Sequence, residues 1–140
     1  MAIQNRVPTS DVAGGGWVAL GGGDSYVEVD DPVGTPDDDT TYIYSTSTTA
    51  VEYFEYLDFV ITSSAIASIT VYGRAKYIGS GDYRFRVQVN GVIYTGSIHT
   101  LTASYANYST QWLTNPNTGL AWVETDVEGT GAAPLQYFGV

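Results

Sequence analysis

The sequence predicts an all-β fold: an antiparallel β-sandwich of jelly-roll-like kind, with at most one short helix near the C-terminus. Three observations predict it. The 140 residues include 12 Tyr and 16 Gly but only 5 Lys plus Arg, with Thr, Ser and Val abundant. Tyr, Thr and Val suit a pleated, half-buried surface and Gly suits the turns between strands, whereas the common helix formers Lys, Glu, Leu and Met are scarce. Apolar and polar residues alternate with period two, most cleanly between Ile66 and Gly96. Turn signals recur every ten residues or so, and Asn90-Gly91 is the strongest of them.

Residues 1–16 are expected as a flexible N-terminal arm, polar and broken by Pro8 and Gly14-Gly15-Gly16. Two readings stand open for it: a poorly ordered terminus, or an arm that reaches onto a neighbouring subunit. The β-sandwich domain then runs over 17–140. Trp17, Val18 and Leu20, set between two glycine triplets, suit a docked edge strand. Tyr26 to Val29 is predicted as a short strand. The acidic loop Asp30 to Asp39 follows, where Pro32, Gly34 and Pro36 exclude regular structure. Thr41 to Thr46 is predicted as a strand with Tyr42 and Tyr44 on one face.

Glu52 to Ile61 carries apolar groups on both sides, Tyr53, Leu57, Phe59 and Ile61 against Phe54, Tyr56 and Val60. Such a strand is either central or meets another subunit on its outer face. From Ile66 to Gly96 a three-stranded meander is expected. Ala67, Ile69, Val71, Ala75 and Tyr77 share one face of its first strand. Tyr83, Phe85, Val87 and Val89 share one face of its second. Asn90-Gly91 then sets Val89 opposite Val92 and Val87 opposite Tyr94, which extends the core face across the turn. Leu101 to Leu113 is read as a strand from its Thr, Ser and aromatic density. Asn115 to Gly119 is a turn, Trp122 to Glu128 a short helix, and Leu135 to Val140 the closing strand.

Charge and composition exclude several classes of function. The net charge of −10 argues against direct binding of nucleic acid and against an anionic membrane surface. Seven of the 15 acidic residues lie between Asp24 and Asp39, and four of the five basic ones (Arg74, Lys76, Arg84, Arg86) lie within thirteen positions. Such a split suits copies that meet head to tail, and equally a protein that only needs solubility. With no cysteine there is neither disulfide nor thiolate chemistry. No signal-peptide pattern and no apolar window of about 20 residues is present, so the chain is expected to be made in the cytoplasm and not to enter a membrane.

No active site is expected. His99 is the single histidine, no nucleophile-elbow motif accompanies it, and a lone strand histidine is usually structural. Glu52, Glu55 and Asp58 are close in sequence, but Glu55 should point away from the other two and nothing selects a catalytic pair. The candidate ion site is the acidic loop, where Asp30, Asp31, Asp37, Asp38 and Asp39 offer the oxygen ligands calcium prefers, though without EF-hand spacing. The alternatives there are a solvated turn, or Asp39 capping the backbone before Thr40 and Thr41. Tyr72, Tyr108, Trp112 and Trp122 are candidates for stacking on sugar rings. Trp17, Phe54, Tyr56 and Tyr72 are the candidate interface residues, since Tyr and Trp bring large area with a polar tip.

Two runs carry a family resemblance. One is Asp37-Asp38-Asp39-Thr40-Thr41-Tyr42-Ile43-Tyr44 followed by a long strand ending Val71-Tyr72-Gly73-Arg74-Ala75. The other is Tyr105-x-x-Tyr108-x-x-x-Trp112-x-x-Asn115-Pro116-x-Thr118-Gly119-x-x-Trp122 with its closing aromatic strand. In this order and spacing they resemble the small β-sandwich structural domains of tailed-phage and environmental viral virion proteins, from Trp17 to Val140. The resemblance implies a non-enzymatic virion subunit, such as a capsid decoration protein, with no cofactor and no catalytic residue to carry over. Such a subunit is expected to meet partners such as a major capsid protein and, since closed homo-oligomers are the common outcome, to form a homo-oligomer, with a trimer as the expected size. Within the second run, Trp112 and Trp122 are expected to bracket the Asn115 to Gly119 turn and pin it to the core. A sugar- or receptor-binding module and an extracellular filament subunit, with Met1 to Gly16 donated to the next copy, are the competing functions.

Overall fold

The computed structural model describes residues 3–32, 34–56, 59–61, 65–79, 81–132 and 134–140. The expected class is what it has: an all-β, sandwich-like fold that is not a closed barrel. All five strand pairs with a defined register are antiparallel. The single α-helix among the described residues is α1 (Glu124–Val127), near the C-terminus as expected. Among the described residues no helix is long and apolar enough to cross a membrane. The chain divides into two compact units, Met1–Leu57 with Gly139–Val140, and Asp58–Phe138.

In the first unit, Pro8–Gly15 forms strand β1. Part of the segment expected as a flexible arm over 1–16 is therefore a strand. The segment pairs with β4 (Val51–Tyr56) of its own chain, with Ser10 opposite Glu55, Asp11 opposite Phe54 and Gly14 opposite Glu52. Gly14 and Gly15 of the first glycine triplet belong to the pairing. A Cβ on Gly14 would fall 2.7 Å from the Val51 carbonyl oxygen, so only glycine allows this approach. The chain end joins the same unit, since Glu52 and Val140 exchange backbone hydrogen bonds of 3.1 and 3.0 Å.

β2 (Val18–Ala19) pairs with β3 (Ile43–Tyr44), so the run between the glycine triplets does dock as a short strand. Tyr26 to Val29 is not the strand expected there, because Ser25–Glu28 is a 3-10 turn. The cause is distant in sequence: both Asp11 carboxylate oxygens accept backbone N–H groups, from Ser25 at 2.6 Å and Tyr26 at 2.7 Å. A charged acceptor on two adjacent amides holds the tight turn that the residues' own propensities oppose.

In the second unit β5 (Ile69–Ala75) pairs over its full length with β10 (Ala106–Trp112). β6 (Asp82–Tyr83) pairs with β9 (His99–Thr100), and β7 (Arg86–Val89) with β8 (Val92–Thr95). β11 (Leu135–Gly139) lies beside β7. The three-stranded meander is therefore corrected. Its first strand turns away to a seven-residue partner of matching length. Its second is interrupted at Arg84-Phe85 and shared between β9 and β8.

The Asn90-Gly91 hairpin stands as predicted. Val89 faces Val92, Val87 faces Tyr94, and φ is 51° at Asn90 and 76° at Gly91. Phe85, Val87 and Val89 are at most 1% exposed, and burying each such side chain contributes about 1.5–3 kcal/mol. The core face ends at the turn, however, since Val92 is 46% exposed.

Candidate functional site

The acidic loop is built around its own backbone. Asp37 accepts the Thr41 N–H at 3.2 Å and the Thr41 hydroxyl at 2.9 Å, while Asp31 accepts the Asp37 N–H at 3.0 Å. A side chain therefore caps this turn, as one reading expected: the Asp37 carboxylate reaches forward to the amide of Thr41. Among the described residues no three His, Cys, Asp or Glu groups come together as a metal would need. Of the carboxylates considered as calcium ligands, Asp30, Asp31, Asp37, Asp38 and Asp39, the loop turns those of Asp31 and Asp37 onto backbone amides.

Glu52 is buried at 7% exposure, on the same face of β4 as Phe54. Burial raises its pKa, and the neighbouring charge of Asp11 raises it further. Glu55 faces the other way and accepts the Ser10 hydroxyl at 2.7 Å, while Asp58 lies outside the described residues. Glu52 and Glu55 are thus held apart on opposite faces of one strand.

His99 sits among aromatic rings. Its Nε2 is 3.0 Å from the Thr110 hydroxyl, and its ring lies 5.5 Å from Phe85 and 5.6 Å from Tyr108. Tyr83 completes the cluster at 4.9 Å from Phe85, its phenol pKa pushed up by burial. Here the imidazole packs and orients a core edge.

The turn after β10 is the most elaborate polar feature. Asn115, fully buried, donates from Nδ2 to Asp126 at 2.9 Å and accepts the Asn117 N–H at 2.9 Å. Its backbone N–H reaches the Leu120 carbonyl and its carbonyl accepts from Gly119, both at 2.8 Å. Trp122 is 1% exposed and donates its indole N–H to the Trp112 carbonyl at 3.0 Å. Sequence reasoning singled out the tryptophans and missed Asn115 and Asp126. The available signal was an Asn at the head of a turn followed by an Asp in the helix after it.

The candidate contact residues divide. Tyr72 is 57% exposed, and Trp17 and Tyr56 are half-buried. The Trp17 indole nitrogen is buried without a hydrogen-bond partner. Phe54 is 3% exposed, so it belongs to the core and offers no outer face. Trp122 is likewise withdrawn from any sugar-stacking platform by its burial. Tyr72 instead stands in a polar row on the outer face of the β5–β10 ribbon, with Arg74 beside it and Asn107, Ser109 and Gln111 across.

Three exposed apolar groups went unforeseen. In the first unit Val18, Leu20, Val27 and Tyr44 are each 45–48% exposed, with Val18 directly across from Tyr44. In the second, Val92 and Ile93 are 46% and 48% exposed on β8, and Leu113, Leu120 and Val123 are 65%, 70% and 45% exposed around the Asn115 turn. Comparison with protein-family models, curated proteins and solved structures finds no match to the chain.

Proposed function

We propose that this chain is a non-enzymatic structural subunit of a virus particle, a capsid decoration or other particle-surface protein. It works through contacts with its own copies and with other virion proteins such as a major capsid protein. The observation that carries this reading is the distribution of apolar residues. Among the described residues fourteen large hydrophobics are exposed, against eight buried in the core beside Ala19. Single exposed apolar residues are ordinary, but groups of three or four on one ribbon or around one turn mark surfaces that other proteins cover. The likeness of the Asp37–Ala75 and Tyr105–Trp122 runs to viral structural domains supports the virion setting.

Particles purified on a density gradient are expected to contain the chain at fixed stoichiometry by peptide mass spectrometry. The isolated protein is expected to sediment as a closed oligomer, with a trimer as the expected size. A protein that stays monomeric at every concentration and is missing from purified particles overturns the proposal.

A second reading, a sugar- or receptor-binding module, is favoured by one observation. Tyr72 is exposed within the polar row of Arg74, Asn107, Ser109 and Gln111, a stacking surface edged by hydrogen-bonding groups. A glycan array probed with the protein and with Tyr72→Ala tests it. Binding lost in the variant supports this module, and no binding by either protein removes it.

A further inference from the structure

Five asparagines occur in the chain, and only Asn90 is followed by glycine. In a two-residue hairpin the N–H groups of both central residues point out of the ladder and normally bond to water. Here both are held by protein. Asn90 N–H donates to the Pro134 carbonyl at 2.8 Å, and Gly91 N–H donates to Oε1 of Gln136 at 2.6 Å. Asn90 itself is exposed, and its side-chain amide has no hydrogen-bond partner among the described residues.

The Gly91 nitrogen is the atom through which an Asn-Gly pair modifies itself. Once it gives its proton to hydroxide, it can attack Cγ of Asn90. The new N–Cγ bond closes a five-membered imide, the Cγ–Nδ2 bond breaks, and the amide leaves as ammonia after taking up a proton. Water then opens the imide at either carbonyl, to give aspartate or its backbone-shifted isomer. Glycine offers this attack the least steric resistance, because it carries no Cβ. A proton held by Gln136 is harder to remove, and the bond fixes the nitrogen away from free approach.

We propose that Asn90 is a latent deamidation site and that Gln136 is the residue that keeps it shut. Water is the only co-reactant. The two products differ in consequence. Aspartate keeps a turn that Asp-Gly also favours and adds one negative charge. The isomer inserts a methylene into the backbone at the point where Val89 meets Val92, which opens the β7–β8 pairing at its closed end.

The test ages the full-length protein at neutral pH and follows each asparagine by peptide mass spectrometry. Three proteins are compared: the parent, Gln136→Met, which keeps side-chain length without the oxygen acceptor, and Gln136→Glu, which restores one. Loss of one neutral hydrogen bond corresponds to about a 2- to 10-fold rise in the Asn90 rate for Gln136→Met. Gln136→Glu is expected to stay at or below the parental rate, and Asn5 and Asn107 are expected to stay unchanged in all three. Amide exchange should show Gly91 N–H protected in the parent and released in Gln136→Met, with Val92 unaffected. Equal Asn90 rates in parent and Gln136→Met overturn the proposal. So does an increase shared by Asn5 and Asn107, which reports unfolding of the domain and no local lock.

Discussion

Glu52 shows how one buried carboxylate ties stability to pH. Burial and the charge of Asp11 both favour its protonated form in the folded chain, so its folded pKa lies above the ordinary glutamate value of 4.5. A carboxyl shifted in this direction contributes its stability below the unfolded pKa, and that contribution is lost as pH rises through the folded value. Glu52→Gln removes the ionisation and keeps the shape. The variant is expected to melt above the parent near pH ~7, with the difference closing as pH falls toward about 4. Thermal unfolding across that range checks it; a variant that melts below the parent near neutrality would mean that the ionised carboxylate is stabilising after all. The Asp11 carboxylate holds the Ser25 and Tyr26 amides. Asp11→Ala leaves the Ser25 amide unsatisfied at a residue only 8% exposed. It is expected to lower unfolding stability by about 1–3 kcal/mol in a denaturant titration.

Among elements, the β7–β8 hairpin was legible because everything that fixes it is local: two residues with positive φ, and alternation on either side. Gly91→Ala places a Cβ in the left-handed region, so it is expected to cost about 1–2 kcal/mol by chemical denaturation without changing the register. The partner of β5 was not legible, because pairing across thirty or more residues leaves no local mark. Alternation states which face is buried but not which strand lies beside it. Tyr26–Val29 failed for a related reason, since the group that bends it, Asp11, lies on another strand. Phe54 was misplaced because apolar residues on both faces of a strand fit a core and an interface equally well. In the acidic loop the residue types pointed to oxygen ligands. The geometry turned on which carboxylate reaches which amide, and composition does not carry that. At the Asn115 turn the tryptophans were legible as large buried groups, whereas the Asn115–Asp126 bond depends on a helix returning to the turn. Asn115→Ala is therefore expected to cost more than an ordinary turn substitution, roughly 1–3 kcal/mol in the same titration, because it leaves the nearly buried Asp126 without that donor.

Across the whole molecule charge is divided unevenly between the two units. The first holds ten acidic residues and one basic, a net −9, and the second holds five acidic and four basic, a net −1. Copies that met through the first unit would bring like charges together, at a cost that falls with salt because screening acts over about 10 Å at 0.1 M ionic strength. Contacts through the second unit carry no such penalty, and it has an edge suited to them. β8 has β7 as its only sheet neighbour among the described residues, and the hairpin register leaves the peptide groups of Ile93 and Thr95 facing away from β7. No charged residue or proline guards this edge (Val92-Ile93-Tyr94-Thr95), and such a strand is a template for another chain. If copies associate there, Ile93→Lys is expected to shift the oligomer to monomer in sedimentation velocity, because the contact would have to bury the new charge. Leu20→Lys, in the first unit, is expected to leave the oligomer intact. Raising salt from about 0.02 to about 0.5 M should change the assembly little, since the charges that screening relieves lie on the other unit. An oligomer broken by Leu20→Lys and spared by Ile93→Lys, or one that forms only at high salt, would place the contact on the acidic unit, with screened repulsion as the gate to assembly.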